Sequence, residues 1–332
     1  MLSKKVKKYL SRKKIMLAMW NCESKQDPYT NTRWYLPFKD IAKDVVLFDT
    51  NMKRKKYGEQ MMNKMLLKKI DKEKPNIIVF LPICEELDPA CLITIRQDYP
   101  KIKTICVFGD DSWRYESYGK RHAPFFDYIV TILSKEGYEK HKNEGLKVFL
   151  SYSGVNTEEY RPLDLKKIYD VGFIGGASTH RVQHINYLLK YGIDTHVWGQ
   201  GWEGKLIKKE NYHGPLDTNK WSETVSRIKI NLNFSLDGYG NYQVKGRPWE
   251  IGACKGFVIS DDCKKYLDYF NKNEIVLFNH KNKLLSLIDY YLENEKERNT
   301  IAKRMYNKIL KKYSLSKELN KIMEKIMKDT KK

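Results

Sequence analysis

The residues richest in chemical possibility lie in Gln243–Asp262, QVKGRPWEIGACKGFVISDD. Lys245 and Arg247 flank Gly246 in a loop. Pro248 suits a first helical turn because it has no N–H to leave unpaired there. Glu250 falls in that turn, and Gly256 breaks the helix ahead of the apolar run Phe257–Ser260. Two cations at a helix start, where free backbone N–H groups also point outward, suit an anion. An acid one turn further in suits the hydroxyls of a sugar. The same spacing also fits an exposed Arg247–Glu250 pair on a helix surface, worth only about 0.3 kcal/mol.

Three further stretches carry candidate chemistry. In VGFIGGASTHR (Val171–Arg181), Gly175 and Gly176 let backbone approach a phosphate closely, and Arg181 is placed to clamp a diphosphate. An ordinary tight strand-to-helix turn would read the same way. Gly199-Gln200-Gly201-Trp202-Glu203-Gly204 is a literal GxGxxG, yet the polar Lys205–Glu210 follows where a dinucleotide fold needs an apolar helix. Trp202 either lines a base pocket or packs. Asp110-Asp111-Ser112-Trp113 follows the apolar TICVF, so Asp110 or Asp111 is a candidate general base, with His122 a second. Each of the three also fits a turn or core role.

Metal chemistry finds little support. No Asp–x–Asp occurs, and the six cysteines form no CxxC and no zinc-like spacing with histidine. Buried free thiols in a reducing compartment are expected.

These residues need elements to position them. Ile15–Trp20, Val45–Phe48, Asn76–Leu81, Thr104–Phe108, Asp127–Ile132 and Lys147–Leu150 read as short strands buried on both faces. Helices are expected at Thr32–Ala42, Glu59–Asp71, Pro89–Asp98 and Lys135–Asn143, and Asp49–Gly58 as a loop. The alternation restarts at Tyr169–Ile174, with strands at Thr195–Trp198, Ile228–Phe234, Phe257–Ser260 and Asn273–Phe278. Helices are expected at 178–190, 218–227, 281–294 and 296–312, with a last one in the Lys-rich tail. Strands alternating with amphipathic helices predict an α/β chain of two parallel sheets.

The loop, Arg–x–x–Glu helix, Gly turn and strand of residues 243–262 resemble GT-B glycosyltransferases, in particular the group-1-like branch related to the spore-maturation, CgeB-like proteins. The VNTEEYRPLD stretch at Val155–Asp164 is similar to the segment that closes the N-terminal domain in that fold. The resemblance covers roughly Val148–Tyr313 and is architectural before that. It implies two Rossmann-like domains with an interdomain cleft: an acceptor domain at 1–163, a nucleotide-sugar domain at 164–311, and a basic helix at 312–332 returning to the first. It also implies a metal-independent transferase with no bound cofactor, whose donor, expected to be a UDP-sugar, is held by Gly175, Gly176, Arg181, Trp202, Lys245, Arg247 and Glu250. Many retaining members carry a second Glu eight residues before the first; here that position is Tyr242, which leaves the stereochemical outcome open.

Charge bears on the acceptor. Of the net +21, residues 1–163 hold +10, residues 303–332 hold +8, and the stretch between holds +3. Lys53, Arg54, Lys55 and Lys56 follow the second strand, and Arg114, Lys120 and Arg121 follow the fourth, so these form an expected acceptor surface. A polyanionic acceptor fits: an envelope glycan or lipid-linked intermediate at the membrane face, or DNA with hydroxylated bases, as for phage DNA glycosyltransferases of this architecture. A non-catalytic binder of sugar nucleotides or nucleic acid on the same fold is the rival class. No apolar run reaches the ~20 residues of a membrane span, and the basic N-terminus lacks a signal core. A cytoplasmic protein is expected, peripheral at the inner membrane face or, if viral, in a host.

Overall fold

The computed structural model describes residues 2–23, 30–109, 111–151, 154–236 and 240–329. The chain divides into two units, one of Met1–Gly154 with Leu315–Lys332 and one of Val155–Ser314.

The first unit is built on six parallel strands: β1 (Lys14–Met19), β2 (Asp44–Asp49), β3 (Ile77–Leu81), β4 (Lys103–Phe108), β5 (Tyr128–Ile132) and β6 (Val148–Ser151), ordered β2-β1-β3-β4-β5-β6. Alternate residues of β1 enter different cores. Met16 and Ala18 join Met62, Leu66 and Ile95 on one face. Ile15, Leu17 and Met19 join Leu319, Ile322, Met323 and Ile326 of the helix Leu315–Asp329 on the other. A strand apolar on both sides therefore requires that helix. Polar keys hold it in register. Ser3 N donates to Asn320 Oδ1 at 2.8 Å, and the Ser151 hydroxyl donates to Glu318 Oε2 at 2.6 Å.

One expectation for this unit fails. The basic stretch after β2 is a helix, Thr50–Tyr57, rather than a loop. Asp49 caps it by accepting from Met52 N at 2.8 Å, and Gly58 ends it with φ of 80°. Lys and Arg are good helix formers, so a capped basic run needs no apolar stripe to become helical.

The second unit carries five parallel strands: β7 (Tyr169–Ile174), β8 (Thr195–Trp198), β9 (Ile228–Asn233), β10 (Val258–Asp261) and β11 (Val276–Phe278), ordered β11-β10-β9-β7-β8. Residues 155–163, expected in the first domain, cluster here. Their backbone is tied to this unit: Val155 N donates to Tyr313 O, Arg161 N to Ser222 Oγ and Leu163 N to Ser226 Oγ, at 3.1, 3.2 and 3.1 Å. The basic run Lys303–Lys312 also belongs to it, in the helix Glu295–Lys308 and the turn that continues it. Among the described residues, no helix is long and apolar enough to cross a membrane.

Candidate functional site

All the candidate residues of the second unit gather where its strands end. Gly175 follows β7, Gly199 follows β8, the loop to Gly246 follows β9, and Asp261 closes β10. In open parallel sheets this carboxyl edge is where ligands bind.

The two glycine turns lie against each other. Gly175 N donates to Trp198 O at 2.7 Å and Ala177 N to Gln200 O at 2.9 Å. A Cβ on Gly199, whose φ is 141°, would overlap the Gly175 carbonyl. A Cβ on Gly175 would sit 2.6 Å from Arg247 Nη2. The missing side chain is thus what lets the guanidinium lie on the backbone.

Trp202 does not line a ligand surface. It is 1% exposed, its indole N–H donates to Gly175 O at 2.8 Å, and its ring meets Phe173 edge-on. A ring buried on both faces has none left for a base, so Trp202 positions the turn instead.

Arg247 opens the helix Arg247–Ala253, anchored by Trp249 in an aromatic cluster with Tyr269, Phe270 and Tyr313. Its guanidinium lies 5.0 Å from the Phe173 centroid; that of Arg181 lies 5.4 Å from the same ring. Arg181 Nη1 donates to Gly176 O at 2.8 Å and Arg247 Nη1 to Asn233 Oδ1 at 3.2 Å. The Nε of each is buried without a partner. Among the described residues neither arginine forms a salt bridge. Burial, and then the charge of Arg181, push the Arg247 pKa down to about 10; burial also lowers that of Arg181. Both remain cations at neutral pH, held together at an electrostatic cost that an anion between them would remove.

Beneath them is a polar network that sequence reasoning missed. Tyr266 is fully buried, yet Asn233 Nδ2 and Lys245 N donate to its oxygen at 3.0 and 2.9 Å, and Ser235 Oγ lies 3.0 Å away. Asp261, 2% exposed, accepts from Ser235 N with both oxygens at 2.7 and 2.8 Å. Burial raises its pKa while those bonds oppose the shift. Asn233 thus connects Arg247 to the phenol that holds Lys245. The Lys245 ammonium itself contacts Gln243 Oε1. Glu250 is half-buried one turn inside the helix, and its charge favours the charged form of Arg247. The signal for this network was legible in part: Asp261 and Asp262 close a strand that otherwise reads as apolar.

The first unit treats its candidates differently. Asp110 lies outside the described residues. Asp111 is 3% exposed, and His141 Nε2 lies 3.2 Å from its Oδ2. A Cβ on Gly137 would come 2.5 Å from Asp111 Cβ, so backbone is packed directly against it. His141 stacks on Phe108 and meets Tyr115 edge-on. His122 is 7% exposed, stacked on Tyr118, with Nδ1 3.0 Å from Tyr118 O. Asp111 and His122 therefore serve the core and present no base to a substrate in this conformation.

The cations of that unit also divide. Lys53 pairs with Glu23 and lies over Phe48. Arg114 donates to Ile83 O at 2.6 Å and lies over Tyr118 and Trp113. Arg54 is half-buried. Lys55, Lys56, Lys120 and Arg121 are exposed, with Arg121 3.9 Å from Glu85. Among the described residues no group of His, Cys, Asp and Glu is arranged to hold a metal.

Comparison with known proteins places this geometry in a class. Residues 181–324 match the family model described as glycosyl transferase-like. No curated protein matches the chain. HepE from Anabaena, solved with UDP-glucose, is 11% identical, covering 96% of this chain and 100% of its own, with a TM-score of 0.65. Sucrose-phosphate synthase from Thermosynechococcus elongatus is 10% identical over 96% and 100%, with a TM-score of 0.66. A TarM variant from S. aureus, solved with UDP, fondaparinux and α-GlcNAc-glycerol, is 15% identical with a TM-score of 0.57. That match covers 79% of this chain and 58% of TarM. The fold is GT-B. The glycosyl transferase-like match covers most of the second unit.

Proposed function

We propose that this enzyme transfers a sugar from a UDP-sugar to a hydroxyl of an anionic acceptor. The observation that carries the donor half is the pair Arg181 and Arg247, two cations on one ring with no carboxylate bound to either among the described residues. In this reading the diphosphate lies between them against the Gly175–Gly176 turn, Lys245 adds a third positive group, and Glu250 takes ribose hydroxyls. The acceptor oxygen bonds to the anomeric carbon as the bond from that carbon to the phosphate oxygen breaks. UDP leaves, and the hydroxyl proton goes to a base. Fixed cations aimed at the departing diphosphate stabilise charge where it develops, which is the work a metal does in other transferases. The solved complexes of HepE and TarM with UDP support the choice of nucleotide.

The acceptor half rests on charge. Counted by the observed units, the first carries +14 and the second +7. That contrast is narrower than the one read from sequence boundaries, because Lys303–Lys312 falls in the second unit. The exposed Lys55, Lys56, Lys120 and Arg121 lie beyond the carboxyl ends of β2 and β4, and support an anionic glycan or lipid-linked intermediate as acceptor.

A thermal-shift screen of nucleotide sugars tests the donor, since a ligand raises the melting temperature by mass action. UDP-sugars are expected to give the largest shift, and Arg247→Ala and Glu250→Ala to abolish both shift and transfer. Near-normal turnover of both variants at saturating donor would falsify the assignment. Binding to anionic vesicles and to duplex DNA across a salt series tests the acceptor. Salt-sensitive vesicle binding is expected; DNA binding alone would replace the proposed acceptor with a nucleic acid.

A further inference from the structure

The second unit holds another cavity, of about 680 Å³, at the opposite edge of its sheet. Its walls include Lys167, Ser226 and Cys254, which lie two, two and four residues before the starts of β7, β9 and β10. Because the strands are parallel, this is their amino edge, whereas Gly175, Arg181, Arg247 and Asp261 all stand at or beyond the carboxyl edge. The two sites are separated by the length of the sheet.

The lining is unbalanced in charge. Lys167, Lys255 and Lys303 face a single carboxylate, Asp164, among the lining residues. None of the three lysines forms a salt bridge among the described residues. Lys255 and Lys303 are exposed and therefore solvated at little cost. Lys167 is different. It is half-buried, its ammonium donates to Ile228 O at 2.9 Å, and among the described residues no carboxylate pairs with it. Burial, with the nearby positive charge of Arg298, pushes its pKa down to about 8. A desolvated ammonium beside an open polar cavity is a group a ligand would satisfy. Asn299 and Thr300 add polar groups at the rim. Cys254, whose thiol burial raises to about 12, is not a nucleophile there.

We propose that this cavity is a second ligand site, which takes the phosphoryl group of a small phosphorylated molecule on Lys167, Lys255 and Lys303. The volume accommodates a sugar phosphate or a mononucleotide, and three ammonium groups suit a dianion better than a single carboxylate. The site is independent of the donor reading, since no residue belongs to both.

Pyrophosphate, an inorganic probe that carries the shared phosphoryl chemistry, is titrated calorimetrically into the full chain with excess UDP present to occupy the carboxyl-edge site. Saturable binding is expected. Lys167→Met, which keeps most of the side chain's length and removes its charge, and Lys303→Glu, on the exposed rim, should each weaken it by about tenfold or more. Affinity for UDP should stay within about twofold of the unaltered chain in both. Absence of saturable pyrophosphate binding, or binding that neither substitution weakens, overturns the proposal. Failure of UDP to bind bears instead on the donor reading. In that case the pyrophosphate titration is repeated in Arg181→Met/Arg247→Met, where retained binding supports the second site and lost binding overturns it.

Discussion

Arg181 and Arg247 reach the ring of Phe173 from two different elements, one from the helix after β7 and the other from the helix after β9. Their charges repel, and the guanidinium groups are held there by the Gly176 and Asn233 carbonyl oxygens. This leads to an asymmetry between stability and binding. Arg247→Met should leave the melting temperature of the empty protein unchanged or slightly higher, while weakening UDP by about tenfold to a hundredfold. Calorimetry with UDP and a melt without it measure both. A large loss of stability in the empty protein would mean that the arginine is structural.

Tyr266 is a positioning residue whose hydroxyl can be removed without changing its shape. Tyr266→Phe takes the phenol acceptor from Lys245 N and removes one of the acceptors around Asn233 Nδ2, which keeps the Ser235 and Ser260 hydroxyls, at a cost of about 1–3 kcal/mol. The conserved volume of the ring should keep the protein folded. Because Asn233 also holds Arg247, KM for the donor should rise more than kcat falls. Steady-state kinetics separate the two, and a change confined to kcat would contradict the role assigned here.

Histidine 184 predicts an acid limb of stability. It is buried among aromatic rings, and its Nδ1 lies 2.8 Å from His180 O, so that nitrogen carries the proton. Burial lowers its pKa to about 4 from an ordinary 6.5. The unfolded chain therefore takes up a proton that the fold refuses as pH falls through this window. Stability should drop between pH ~6.5 and ~4, by up to about 3 kcal/mol from this group. His184→Gln should flatten that part of a denaturant-midpoint profile. An unchanged slope would place the acid sensitivity elsewhere, with His180 and His213, both lowered by burial, the next groups to replace.

Activity should survive excess chelator, since cations of the protein are assigned the diphosphate. Complete loss that a divalent metal restores would remove the arginine pair from that role; partial stimulation by magnesium would not.

The alternation of elements was legible because a strand buried on both faces must be uniformly apolar, as Ile77–Leu81 is; the order of the strands in each sheet was not. The site was legible only at its rim. Arg247 and Glu250 announce themselves by charge near a proline, whereas Tyr266 and Asn233 act from beneath, and nothing local distinguishes a buried phenol with three polar neighbours from one that simply packs. Asp111 failed in the opposite direction: its place after an apolar strand suggested a base, but glycines at 119 and 137 close over it. Burial of that kind is decided by distant residues such as His141, thirty positions on. The helix after β2 was missed for a different reason, since its cap at Asp49 is a single side chain bond.

The helix Leu315–Asp329 has a consequence for how the chain is made. It supplies core residues to a unit whose remainder ends at Gly154, with 160 residues of the other unit synthesised in between. On the ribosome, the strands β1 to β6 emerge first, but one face of their sheet, which Val6, Leu10 and Phe38 cover only in part, stays incomplete until residue 329 has left the exit tunnel. The second unit is complete by residue 314 and can close earlier, reversing the usual N-terminal-first order. A chain arrested or cut near residue 314 would therefore lose the integrity of its beginning rather than of its end.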